Sequence, residues 1–116
     1  MEYLANVTME GKRYLIDFPH APGCQTFATR KADVYPRALE ALEGWLEAHL
    51  ATGSAPPRLP AVRRRGGPST VRVVVPPMLG VRLGVRWVRQ ELDLSQGELA
   101  ERVGVSKQAI SQIRVA

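Results

Sequence analysis

The sequence predicts an α+β fold, a small antiparallel sheet with one helix followed by an all-helical C-terminal part. Three observations predict it. Apolar residues alternate in "RYLIDF" (13–18) and crowd "TVRVVV" (70–75), which is how strands read. Val34, Ala38, Ala41, Leu42, Trp45, Leu46, His49 and Leu50 recur at helical spacing. From Leu79 onward only helical signals remain, over roughly 79–92, 96–103 and 107–114.

The elements follow in order. Residues 2–9 (EYLANVTM) and 13–18 form two strands, with Tyr14, Ile16 and Phe18 on one face of the second. Glu10-Gly11-Lys12 carries a turn glycine between them, so a hairpin is expected. "PHAPGC" turns the chain, because Pro19 and Pro22 cannot donate to a ladder and Gly23 tolerates positive φ. Gln25–Thr29 is a third strand. The helix within 33–51 carries Glu40, Glu43 and Glu47 opposite its apolar stripe. Asp33 as N-cap places Pro36 in the first turn, where a missing N–H does little harm; Thr29 as the cap would make Pro36 a kink. Gly53 ends the helix. "GSAPPRLPAVRRRGGPS" reads as a linker-like loop, Thr70–Val75 as a strand, and Pro76-Pro77 as its end. The division expected is 1–76 for the α+β domain and 77–116 for the helical one.

Charge separates the same two parts. Residues 1–60 hold six bases and seven acids, whereas 61–116 hold ten bases and four acids. The basic half is the candidate for a polyanion partner, since phosphate neutralisation supplies most non-specific nucleic-acid affinity. No run approaches the roughly 20 apolar residues that span a bilayer, and the N-terminus lacks the basic-then-apolar pattern of a signal peptide. Cys24 is the sole cysteine, so neither an internal disulfide nor a zinc cluster is expected. These features suit a cytoplasmic protein with no membrane partner.

Catalytic chemistry finds little footing. There is no glycine-rich phosphate loop, and the acids do not cluster as a metal-binding or catalytic set would. His49 beside Trp45 reads as a packed or rim residue, His20 as a solvated turn residue, and Cys24 as a strand residue without a base nearby. The reading is of a non-enzyme with no cofactor and no metal.

The back half carries the more specific signal, "LSQGELAERVGVSKQAISQI" from Leu94 to Ile113. Ser95 with Glu98 three later is a capping box that starts a helix at Gln96. Leu99, Ala100 and Val103 face inward, Ala100 being small where a second helix crosses. Gly104 permits the left-handed turn, Val105 plugs the corner, and Ser106 caps the next helix, whose Ile110 and Ile113 pack back. Two short helices around such a turn make a helix-turn-helix, and the stretch resembles that of the phage-repressor-like superfamily. By that resemblance Lys107, Gln108, Ser111 and Gln112 touch bases or nearby phosphates, while Gln96, Ser95 and Ser106 reach phosphates. Arg102 and Arg114 are general phosphate contacts. A helical hairpin that merely packs is the plainer alternative, but it leaves that polar face unexplained. The superfamily adds further helices beyond the point where the sequence stops, Ala116. Either the chain is naturally cut short there or the module leans on something else; the expectation is a two-fold mate, a homodimer through the C-terminal domain using Leu79, Val81, Leu83, Val85, Val88, Ile110 and Ile113.

The front half resembles the N-terminal domain of HicB-type antitoxins. The resemblance rests on Phe18-Pro19, Pro22-Gly23-Cys24, Ala38, Ala41, Leu42, Glu47 and the Gly53–Pro57 exit. Ala28 and Arg30 stand where that family usually has Gly and Thr, and Pro36 is unusual in its helix. What the resemblance implies is a partial ribonuclease-H-like βββαβ sheet without catalytic carboxylates. It further implies an antitoxin that binds and inhibits a HicA-type mRNA-cleaving ribonuclease toxin and represses its own operon by binding operator DNA. Glu40, Glu43 and Glu47 are the candidate toxin-binding residues, able to meet a basic RNA-cleaving surface; a solvated helix face is the plainer reading of them. Arg63–Arg65 read as a solvated linker or as phosphate contacts. A helix-turn-helix regulator whose front domain senses a small molecule is the second functional reading.

Overall fold

The computed structural model describes residues 1–59 and 69–103, and for 93–103 the backbone alone. Strand β1 spans Glu2–Glu10, β2 Arg13–Asp17, β3 Gln25–Ala28 and β4 Thr70–Val74; helix α1 spans Val34–Ala51 and α2 Pro77–Val103. The sheet is antiparallel throughout, in the order β3-β2-β1-β4. This is the α+β architecture expected, with β4 returning to the far side of β1 after α1.

Local chemistry explains the register. Glu10 pairs with Arg13, so Gly11 and Lys12 make a two-residue turn, with Gly11 at φ +61°. That positive φ at the first turn position gives a hairpin twist matched to the strands. The loop from Phe18 to Cys24 is closed by its own backbone: the Phe18 N–H donates to the Cys24 carbonyl at 3.3 Å. Inside it, the Cys24 N–H donates to the Ala21 carbonyl at 2.9 Å, with Gly23 at φ +86°. Cys24 is thus the last residue of the turn rather than a strand residue, and it is buried.

One face of the sheet is covered. Val34, Ala38, Leu42, Leu46 and Leu50 repeat every fourth residue of α1 and are all buried. They pack into one core with Tyr3, Ala5, Ile16, Phe18, Ala28 and Val73, the inward residues of the four strands and the β2 exit. Burial of each large aliphatic side chain stabilises by roughly 1.5–3 kcal/mol. At the far end Gly53 takes φ +80° and its N–H reaches the Leu50 carbonyl at 3.3 Å, the helix stop that the sequence predicts.

Pro36 does fall in the first turn of α1, but Asp33 does not cap it. Residues Lys31–Asp33 already form a 3-10 turn, so the Asp33 backbone is helical. One of the usual N-cap targets is the amide three residues on, and Pro36 has none. The Asp33 carboxylate turns instead to Arg30, at 2.9 and 3.2 Å.

Helix α2 departs most from expectation. It opens at Pro77, whose fixed φ suits a first helical position, and the Gly80 N–H donates to the Pro76 carbonyl at 2.9 Å. It then runs unbroken to Val103, through Leu94-Ser95 where a new helix was expected. No proline or adjoining glycine stands before Ser95 to interrupt the ladder, and a capping box marks a start only where the preceding turn has ended. The Gln96 and Arg102 backbones lie on this same helix.

Candidate partner and nucleic-acid interfaces

Helix α2 packs against the α+β body from its first turns. Leu79, Leu83 and Trp87, at 5, 0 and 7% exposure, recur every four residues and join the core. Two of the residues expected at a two-fold mate, Leu79 and Leu83, are therefore buried within their own chain. Val81 and Val88 remain exposed, with Met78 beside them. Three polar contacts lock the helix. Arg82 pairs with Glu47 at 2.8 Å. The Arg86 guanidinium donates to the Leu50 carbonyl at 3.3 Å, a cation at the C-terminal end of α1 where the helix dipole favours it. The Trp87 indole N–H donates to the Pro56 carbonyl at 2.7 Å.

The strap 54–59 is consequently not a loose exit. Pro56 is buried, and Arg58 pairs with Glu91 at 2.7 Å while its guanidinium lies 5.4 Å from the Trp87 ring centre. Arg63–Arg65 lie outside the described residues.

These contacts revise the reading of the basic half. Arg72, Arg82 and Arg86 all bond to the front of the chain, Arg72 through Glu2 at 3.4 Å. Lys107, Gln108, Ser106, Ser111, Gln112 and Arg114 lie outside the described residues.

Of the acidic trio, Glu40 and Glu47 are exposed on α1 and Glu43 is half-buried. Glu47 is bound to Arg82, so a partner must compete with that pair to use it. His49 packs edge-on to Trp45, ring centres 4.3 Å apart, and Trp45 donates to the Pro22 carbonyl at 3.1 Å. His49 is the rim residue expected. Cys24 is inert for a different reason than sequence spacing: burial pushes its thiol up to about 11, so it stays protonated near neutrality. Among the described residues no group of three His, Cys, Asp or Glu could hold a metal ion, and no helix is long and apolar enough to cross a membrane.

Sequence reasoning missed the open face of the sheet. Alternation puts Leu15, Asp17, Gln25 and Phe27 opposite the core, and no described element covers them. With Thr8, Ile16 and Thr26 they line a hollow of about 580 Å³. Phe27 is 43% exposed, with the Arg13 guanidinium 5.1 Å from its ring centre. At the sheet's edge, the Val74 N–H is met by the Tyr35 hydroxyl at 3.3 Å, leaving less of β4 for strand addition. The signal that could have found the open face is the outward Phe27 in a three-strand meander with only one helix to cover it.

Comparison with known proteins finds a sequence likeness for the C-terminal part and a fold likeness for the chain. Residues 85–114 match the family model of a helix-turn-helix, HTH_3. The chain also shares its fold with a chain of the HicA3 and HicB3 toxin-antitoxin complex. The TM-score is 0.52 at 21% identity, over 66% of this chain and 100% of that one. No curated protein sequence matches. The helix-turn-helix match begins at Val85, inside the part of α2 that is docked on the α+β body.

Proposed function

We propose that the chain is a HicB-type antitoxin and autorepressor. Its α+β body, within residues 1–76, binds and inhibits a HicA-type mRNA-cleaving ribonuclease; residues 77–116 bind operator DNA as a homodimer and repress the operon, in the cytoplasm. The observation that carries this is a conjunction. A fold shared with a chain of a HicA3–HicB3 complex and a helix-turn-helix sequence occur in one chain, adjoining through α2.

Glu40, Glu43 and Glu47 are the proposed toxin contacts, the carboxylates of exposed Glu40, half-buried Glu43 and Arg82-paired Glu47 suiting the basic surface of an RNA-cleaving partner. Gln96, Arg102, Ser106, Lys107, Gln108, Ser111, Gln112 and Arg114 are the proposed DNA contacts. Gln reads adenine bidentately, Lys reads guanine, and Arg neutralises phosphate.

Co-expression with the HicA-type protein tests the reading. The two should elute as one complex, and Glu40→Gln with Glu43→Gln should weaken it by about tenfold, as expected for loss of charge pairing. Elution of the two as separate species would overturn the toxin-binding half of the proposal.

A further inference from the structure

Trp87 is unusual in being claimed by both halves of the chain. It lies two residues inside the helix-turn-helix match, yet its ring is 7% exposed and buried against the α+β body. Its indole N–H holds the Pro56 carbonyl, Arg58 covers its ring, and Arg58 reaches on to Glu91 one turn later. The junction before α2 is only Val75-Pro76, and the Pro- and Arg-rich stretch read as a linker precedes β4 instead. No flexible connection therefore separates the body from the first turns of the matched segment.

We propose that Trp87 is a positioning residue for DNA recognition. By anchoring α2 on the strap 54–59 it fixes the direction of α2, on which the helix-turn-helix match begins. The indole carries most of this, because the Arg58–Glu91 pair is more than half exposed on both sides and is worth little alone. Orientation matters for base reading, which needs side chains placed against the groove edge, and hardly matters for phosphate attraction. This inference rests on the DNA-binding reading above.

The test uses the full chain with Cys24→Ser and spin labels at two exposed positions, Arg37→Cys on α1 and Gln90→Cys on α2. The otherwise unchanged chain should give one narrow distance distribution, and Trp87→Ala a broad one. In that variant Trp45 is the only tryptophan left, so its emission, excited selectively above the tyrosine band, shows that the body is still folded. Affinity for the duplex upstream of the chain's own coding sequence should fall about tenfold, and affinity for a scrambled duplex of equal length less than about twofold. Trp87→Phe, which keeps the packing, should lie between. A distribution that stays narrow in Trp87→Ala overturns the anchoring. Parallel losses on both duplexes overturn the positioning role and leave Trp87 a stability residue. A wild-type chain that binds neither duplex removes the DNA reading itself, and this role with it, whatever the distances show.

Discussion

Trp87 donates its indole N–H to the carbonyl of Pro56 at 2.7 Å, across a separation of 31 residues. The bond is buried, and it joins the exit strap of α1 to the last buried residue of α2's docked face. Trp87→Phe keeps most of the ring but leaves that carbonyl without its donor, at an expected loss of about 1–3 kcal/mol. Trp87→Ala adds a cavity and should lose about 3–5 kcal/mol. Urea unfolding followed by Trp45 emission and by far-ultraviolet ellipticity checks both values.

The two faces of α2 should respond oppositely to truncation. Leu83 is fully buried, so Leu83→Ala should lower stability by about 2–5 kcal/mol. Val81 is 56% exposed, and Val81→Ala should stay within about 0.5 kcal/mol. Equal effects in thermal melts would mean that α2 is not docked as described.

Burial raises the Cys24 thiol from 9.0 to about 11, so the folded state holds its proton more tightly than the unfolded state. The sign follows: the thiol's contribution is fully present below pH 9 and is lost as pH rises through about 11. Stability relative to Cys24→Ala should therefore drop across that window and be flat below it. At pH 8 a thiol reagent should label the folded chain far more slowly than the urea-unfolded chain.

Most of the fold was legible because local chemistry carried it. The hairpin glycine, the Pro-Gly-Cys turn, the every-fourth-residue stripe of α1 and the stop at Gly53 are each decided within a few residues. What was not legible depends on tertiary competition. Asp33 is a good cap by type, but Arg30 and the missing Pro36 amide decide where its carboxylate goes. Leu79 and Leu83 looked like an unpartnered apolar face because periodicity shows which residues share a face and not what covers it. Arg82 and Arg86 counted toward a basic surface until their partners on α1 were placed. For the interfaces, sequence supplied residue types and spacing, while the engagement of Glu47 and the open face around Phe27 required the assembled sheet.

On DNA, Gln108→Ala should reduce affinity for the chain's own upstream duplex by about 1–3 kcal/mol and leave binding to scrambled duplex nearly unchanged. Titrations at two salt concentrations separate the two contributions, since it is the phosphate part that weakens as salt rises. Equal losses on both duplexes would show that Gln108 does not read bases.

The central claim is that this chain silences a ribonuclease. Cleavage of a messenger RNA by the HicA-type protein, titrated with the purified full-length chain, measures it most directly. The account predicts that cleavage stops near stoichiometric addition, and that the Glu40→Gln, Glu43→Gln variant needs about tenfold more chain to stop it. Undiminished cleavage in the presence of excess folded chain would contradict the account.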